Sequence, residues 1–446
     1  MLALIASLDG IPHPFSTFLF LTMAPWRCKL LFLPLLMTLP NQGSTLAIAD
    51  TNSKKILKLQ VPHPEGTPAE TLRSLADACD SLGVDAWDVY GDFDRDAASS
   101  YLKRFEQEIA TEFGKPDAVF MPSGGMAQSI ALLIHNSKKP TGKFACHWTS
   151  HLLLHEKEGF QELCGMTPTV LGTSTDFPAH PLLYSDIESC SSDVRDSSSL
   201  FIELPHREVG GKVTPWQDVE KLQSYCQEHG IAFHCDGARI FEASVGYDKS
   251  LAELASPFDS LYISFYKGLG GMSGAMLMGS VEFCDEARVW LRRFGGNLYT
   301  LVPYAVSGWA GYQRYWKVPQ QDKSIMSFVD KKDKLVRIVQ QLSTDRACSE
   351  VITFDPPVPV VNMVHCYLRP PLEDCERVRD NIQELLGVSI FHRLRALAPD
   401  EPAFKSGHRA KLELSLGEAN GSISDDLFVQ GWTEFCKQLT TTTVSK

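Results

Sequence analysis

After Asp50 the chain alternates short apolar runs with amphipathic stretches, a pattern that an α/β fold with a largely parallel sheet accommodates. Ala118 to Met121, Phe144 to His147, Thr169 to Leu171, Leu200 to Leu204, Ile231 to Cys235, Leu261 to Phe265 and Ala275 to Met278 read as buried strands. Met126 to His135 and Val219 to His229 carry helical periodicity, and Gly230 stands where a left-handed helix cap is expected. Residues 88 to 310 are expected to form a large domain. Residues 50 to 87 read as the N-terminal segment of a small one. Beyond 310, Gln321 to Leu342, Glu373 to Leu386 and Ser424 to Leu439 look helical, and Val360 to Leu368 and Lys411 to Leu416 look like strands, so 311 to 446 reads as a smaller α/β domain. The serine cluster from Ser189 to Ser199 reads as a surface loop.

Length and charge narrow the function. The 446 residues suit two domains, and 44 % hydrophobic residues provide material for a sizeable core. A formal charge of -12 supplies no global basic field for a nucleic-acid backbone or an anionic membrane, so a nucleic-acid partner is not expected. The twelve cysteines are scattered without any C-x-x-C, which excludes a zinc ribbon or thioredoxin-type motif and suits reduced thiols in a cytoplasmic enzyme; no metal site is expected. Residues 1 to 49 form an extension with two apolar runs, Phe15 to Leu21 and Leu30 to Leu39. The second is interrupted by Pro34 and too short to span a bilayer. From Met23 onward, a basic stub, an apolar stretch and Ala47-Ile48-Ala49 also match an export signal within 23 to 49, so both locations stay open.

Three motifs carry chemistry. In Ala118-Val-Phe-Met-Pro-Ser123-Gly124-Gly125-Met126 an apolar strand runs through a small-residue loop into a helix. Backbone N–H groups there, with the helix dipole, suit a phosphate, although such turns are often only turns. In Ile231-Ala-Phe-His234-Cys-Asp236-Gly-Ala-Arg239 a carboxylate sits at the carboxyl end of a buried strand, where α/β sheets bind ligands. Taken singly, a helix cap or a salt bridge to Arg239 is the better reading. In Leu261-Tyr-Ile-Ser264-Phe-Tyr266-Lys267-Gly268 a lysine follows an apolar strand; desolvation would make its amine nucleophilic, and a surface lysine beside a flexible loop is the bland alternative. Together, a phosphate cradle, an acid and a lysine at strand ends are the set that pyridoxal phosphate needs.

In this order the segments resemble the threonine aldolase and β-eliminating lyase family of fold-type-I pyridoxal-phosphate enzymes. The resemblance runs from about Asp88 to Gly308 and weakens toward the C-terminus. It rests on Asp88-Val-Tyr90-Gly91-Asp92, Pro122-Ser-Gly-Gly-Met-Ala127, His234-Cys-Asp236-Gly-Ala-Arg239 and Ser264-Phe-Tyr-Lys267-Gly-Leu-Gly270. It implies a large domain with a mostly parallel central sheet flanked by helices, plus the smaller C-terminal α/β domain. It implies pyridoxal 5'-phosphate held by Ser123, Gly124, Gly125, His151, Asp236, Arg239, Ser264 and Lys267, with Lys267 as Schiff-base lysine and Asp236 on the pyridine nitrogen. His151 would stack on the ring, Glu203 and His206 match a Glu-Asn-Thr-His stretch in which the imidazole can act as base, and Tyr90, Arg239 and Lys411 would bind substrate.

The implied reaction is retro-aldol cleavage of a threonine-like β-hydroxy-α-amino acid to glycine and an aldehyde, in a homodimer or homotetramer. Four departures bear on it. Gly125 replaces a threonine, Tyr299 lies in a stretch that usually carries an arginine, the Arg-Ser-Asp-Thr start typical of many family members is missing, and Lys411 stands near a usual carboxylate-binding arginine. They leave open β-elimination on another amino acid, and a non-catalytic relative of the fold.

Overall fold

The computed structural model describes residues 56–91, 100–173, 175–322 and 324–444, and within these the chain forms one compact unit. The apolar runs before residue 50, the cleavage-like Ala47-Ile48-Ala49 and Asp92 lie outside the described residues.

All seven expected strands form one sheet: β1 Asp117–Met121, β2 Lys143–His147, β3 Thr167–Leu171, β4 Ser199–Glu203, β5 Ala232–Gly237, β6 Ser260–Ser264 and β7 Ala275–Gly279. Their spatial order is β1-β7-β6-β5-β4-β2-β3, with β7 alone antiparallel to its neighbours. The reason is the short connection after Ser264. A parallel neighbour needs a crossover of a dozen or more residues, whereas residues 265–274 can only turn back. That turn is the segment that carries Lys267.

Alternation along the strands feeds two cores. In β1, Ala118 and Phe120 join one face of the sheet, and Val119 and Met121 join the other. The helix Gly124–Lys138 covers the second face with Ala127, Ile130, Ala131 and Ile134. A smaller antiparallel sheet has β8 Ile352–Asp355, β9 Met363–Leu368, β10 Arg395–Ala396 and β11 Ala410–Ser415 in the order β10-β11-β9-β8. With the helices Phe328–Thr344, Leu372–Leu386 and Asp425–Val444 it encloses a further core around Leu335, Ile338, Phe428 and Trp432. Leu59 joins this core, whereas Ala78 of the helix Pro68–Leu82 joins the first.

Two local expectations are corrected. The helix expected from Gln321 begins at Phe328, because Ser327 caps it and closes a capping box with Asp330. The serine cluster is not a surface loop. Ser191–Arg195 is a short helix, and Ser197, Ser198 and Ser199 are buried where the chain enters the middle of the sheet, with Ser198 Oγ donating to the Lys143 carbonyl at 2.8 Å. Such hydroxyls tolerate burial because the backbone pairs them.

The Asp88 motif also has a structural reading. Its buried carboxylate accepts from Tyr101 Oη at 2.8 Å, Thr300 Oγ1 at 2.5 Å, and the backbone N–H groups of Gly91 and Leu301 at 3.2 and 3.0 Å. Asp88→Ala strands these donors and is expected to cost roughly 3 kcal/mol or more, read from urea unfolding of wild type and variant.

Candidate functional site

Ser123, directly after β1, caps the helix Gly124–Lys138 by accepting from the Met126 N–H at 3.3 Å. A Cβ at Gly124 would lie 2.9 Å from the Tyr262 ring, so only glycine lets the backbone approach the sheet this closely. The helix therefore starts with open N–H groups beside the strand ends.

Asp236 ends β5. Its Oδ1 accepts from the Ala238 N–H at 3.1 Å and its Oδ2 from Gln128 Nε2 at 2.6 Å. Behind it runs a buried chain whose direction is set when Asp236 is ionised, since a carboxylate can only accept. Since Gln128 donates through Nε2, its Oε1 accepts from His234 Nε2–H at 3.1 Å. The neutral His234 ring then accepts at Nδ1 from the Ser260 hydroxyl at 2.7 Å, and Ser260 Oγ accepts from His135 Nε2–H at 2.7 Å. Burial pushes His135 down to about 3 and His234 well below its ordinary range, so both rings are neutral. Gln128 and His135 share a helix face because they lie two turns apart, and His234 faces Ser260 in register.

Beside Asp236 in register is Glu203. Burial raises both carboxyls to about 7, and Glu203 adds its repulsion to Asp236. Glu203 Oε1 accepts from the His151 backbone N–H at 2.6 Å and its Oε2 stands 3.8 Å from His206 Nε2. His206 is buried, hydrogen-bonded through Nε2 to Thr149 Oγ1 at 2.8 Å, and pushed down by burial to about 4. His151 is half-exposed and pairs through Nδ1 with Glu156 at 2.9 Å. Burial opposes a charge on His151, but the Glu156 bond and the nearby Asp236 raise it above its ordinary value.

The first departure from the family pattern has a structural counterpart. A Cβ at Gly125 would lie 2.5 Å from Glu156 Oε2, so glycine here leaves room for the carboxylate that holds His151. Gly125→Thr is expected to push Glu156 off His151. The His151 titration should then move down toward or below about 6.5, as followed by NMR of labelled histidine.

Lys267 follows β6 and lines a cavity of about 210 Å³ with His63, Arg239, Glu242, Tyr266 and Glu413. Burial, then the charges of Arg239 and Arg207, lower its amine to about 8. Ser264 is buried at the end of β6, and its hydroxyl lies beside the Tyr266 hydroxyl, which burial pushes up and this contact lowers. Arg239 does not pair with Asp236; its ion pair is with Glu413, at 3.9 Å. Lys411 lines instead an adjoining cleft of about 1000 Å³, together with Arg207, Glu208, Tyr367, Arg395 and Glu401, and it stands 4.0 Å from Glu208. Tyr90 lines neither space. It is exposed and packs edge-on against Tyr299, with ring centroids 5.5 Å apart.

The structure thus joins Lys267, Arg239 and Glu413 in one cavity, and Asp236, Glu203, His151 and Glu156 in one cluster. Sequence reasoning missed Gln128, Glu156, Arg207 and Glu413. A weak signal existed for Glu413, which is two residues from Lys411 on a strand and therefore on the same side. These residues fit pyridoxal phosphate. A lysine with a weakened hold on its proton is present, and a buried carboxylate lacks a Lys or Arg ion-pair partner among the described residues. A glycine-lined helix start suits a phosphate.

The comparisons agree with this geometry. A family model described as beta-eliminating lyase matches residues 87–351. A low-specificity L-threonine aldolase of Saccharomyces cerevisiae is 28 % identical over 196 residues, covering 44 % of this chain and 50 % of that protein. Its namesake in Escherichia coli K12 is 29 % identical over 211 residues, covering 47 % and 60 %. The chain spans about half the length of the curated relatives it matches. Among solved structures, a Listeria monocytogenes EGD-E protein provisionally assigned as an L-allo-threonine aldolase superposes with a TM-score of 0.73 at 32 % identity, covering 86 % of this chain and 97 % of that one.

Proposed function

Because this chain belongs to the beta-eliminating lyase family, we propose that it is a pyridoxal-phosphate-dependent lyase that breaks the Cα–Cβ bond of a β-hydroxy-α-amino acid to give glycine and an aldehyde. The observation that carries this reading is an amine lowered to about 8, at Lys267, on the same sheet edge as the buried Asp236 carboxylate. When bound, pyridoxal phosphate supplies an electron sink for the pair left on Cα.

The chain's own residues do the rest. Lys267 holds the cofactor through its amine, and Ser123 with the N–H groups around Gly124 and Gly125 holds its phosphate. Asp236 keeps a proton on the pyridine nitrogen, and that cationic partner in turn keeps the carboxylate ionised against its burial. Gln128 orients Asp236 by donating to Oδ2. His151 covers the ring and takes the β-hydroxyl proton, with Glu156 orienting its imidazole. His206, buried and engaged by Thr149, holds Glu203 and Thr149 in place rather than meeting the hydroxyl.

The test is a panel of β-hydroxy amino acids with parallel aldehyde, pyruvate and ammonia assays. Aldehyde and glycine in equal amounts support the reading. Pyruvate and ammonia instead would support β-elimination, the second reading, which the wide cleft next to the Lys267 cavity favours by leaving room for a bulkier side chain.

Two further readings belong here. We propose a homo-oligomer, a dimer or tetramer, since Trp87, Val89, Tyr90, Leu298 and Tyr299 are all exposed apolar side chains, carried by the segments that the Asp88 carboxylate ties together. We also propose a cytoplasmic location, supported by free cysteines at every described cysteine position. No helix among the described residues is long and apolar enough to cross a membrane.

A further inference from the structure

We infer that Arg207 and Arg239 form the clamp for the substrate carboxylate, and that Glu413 fills this clamp in the free protein as a resident carboxylate which the substrate displaces. The inference rests on the proposed amino-acid substrate, and it assigns to Arg207 the role that the family resemblance put at Lys411.

Glu413 lines both the Lys267 cavity and the adjoining cleft, so it stands at their junction. Its Oε2 accepts from Arg207 Nε at 2.8 Å, and its Oε1 lies 3.9 Å from an Arg239 amino group and accepts from Ser415 Oγ at 3.2 Å. One carboxylate is thus shared by two guanidinium groups, hydrogen-bonded to Arg207 and ion-paired with Arg239. Burial alone would push the Glu413 carboxyl up, yet Arg239 and Arg207 hold it below its ordinary value. Arg239 and Glu413 line the same cavity as the Lys267 amine, the group that a substrate's own amine must approach, so a carboxylate at the Glu413 position faces the reacting position.

Arg207 is already engaged twice, because it also donates to Glu208 through Nη1 at 3.1 Å. A substrate carboxylate can enter by exchange, one carboxylate for another, with the number of charge-assisted hydrogen bonds conserved. Glu413 has a place to go. Lys411 lies two residues away on the same side of β11, and its ion-pair partner Glu208 is 4.0 Å distant. Lys411 then receives the displaced Glu413 rather than the substrate. The cost of this exchange sets the affinity, so the pocket weakens every substrate carboxylate and favours those whose side chain also gains contacts in the adjoining cleft.

The test uses isosteric variants and two readouts. Full-chain protein without cofactor is titrated calorimetrically with maleate, an unreactive dicarboxylate. Glu413→Gln removes the resident charge and is expected to tighten maleate binding about tenfold, and Arg207→Gln to weaken it by about the same factor, with Arg207→Lys intermediate. With cofactor and the amino acid that the panel selects, the same variants should move KM in the same directions and kcat by less. Unchanged or weaker maleate binding in Glu413→Gln would overturn the proposal, making Glu413 a scaffold for the arginines. So would unchanged binding in Arg207→Gln, or no maleate binding in wild type and Glu413→Gln alike. Failure of the lyase reading would look different: no turnover in the panel, with the maleate pattern intact.

Discussion

Lys267→Ala protein, incubated with pyridoxal phosphate and then borohydride, is expected to carry no cofactor on the peptide containing residue 267, whereas wild-type protein carries one. Wild type should also develop a long-wavelength absorbance band that the variant lacks, and turnover should vanish with it. The wild-type reaction has a pH signature. Burial first, and then Arg239 and Arg207, penalise the protonated amine and bring it from 10.5 down to about 8. The reactive neutral amine thus grows as pH rises through that value, from about one part in ten at pH 7 to about nine in ten at pH 9. Initial cofactor capture by cofactor-free protein should rise about tenfold over this interval and then level off. A flat rate between pH 7 and pH 9, or a rise beginning only above pH 10, would mean that the amine is not desolvated as the cavity indicates. Arg239→Gln should shift the rise upward, because it removes the larger of the two repelling charges.

Asp236→Ala is expected to leave cofactor bound weakly and to reduce turnover by about three orders of magnitude. Removing one partner of a buried charge pair costs about 4 kcal/mol, and each 1.36 kcal/mol is a factor of ten in rate. The structure sharpens this expectation. Asp236 is buried beside Glu203, and both carboxyls are raised to about 7, so the pair is poorly ionised until a cation arrives. A protonated ring nitrogen supplies that cation. Asp236→Ala should therefore weaken cofactor binding as well as rate, read by fluorescence titration and by the substrate panel. Turnover within about tenfold of wild type would remove Asp236 from the mechanism. The chain through Gln128, His234, Ser260 and His135 explains why the carboxylate is held in one orientation before any ligand enters.

Much of this was legible from local pattern. The seven strands of the large sheet, the helix after Ser123 and the positions of Asp236 and Lys267 follow from apolar runs of strand length and from the small residues that end them. Other local signals were present and passed over. Thr67 and Glu70 make a capping box at the start of the helix Pro68–Leu82, and Ser280 caps Val281–Arg293. The expected helix from Gln321 extended too far toward the N-terminus because periodicity continues where capping chemistry stops it, at Ser327. The serine cluster misled for the opposite reason. Composition suggested solvent, but the end of the cluster runs into a central strand whose neighbours pair its hydroxyls.

The sequence by itself determined the class of fold and the strand-end positions of Asp236 and Lys267, the two residues proposed to carry the cofactor chemistry, because strand periodicity and strand-end motifs are properties of a few consecutive residues. Only the tertiary structure decided how those residues are charged and oriented. Asp88 acts on Thr300 and Leu301 from more than two hundred positions away, Gln128 meets Asp236 across 108 residues, and Arg207 meets Glu413 across 206. Burial then sets which of these groups carries a proton, and burial depends on everything packed around the site. The exchange of Lys411 for Arg207 as the candidate carboxylate clamp is of this kind. Spacing puts Lys411 and Glu413 on one side of a strand, but only the packing of the small sheet against the large one brings the Arg207 guanidinium to Glu413, while Lys411, in the same cleft, stands 4.0 Å from Glu208.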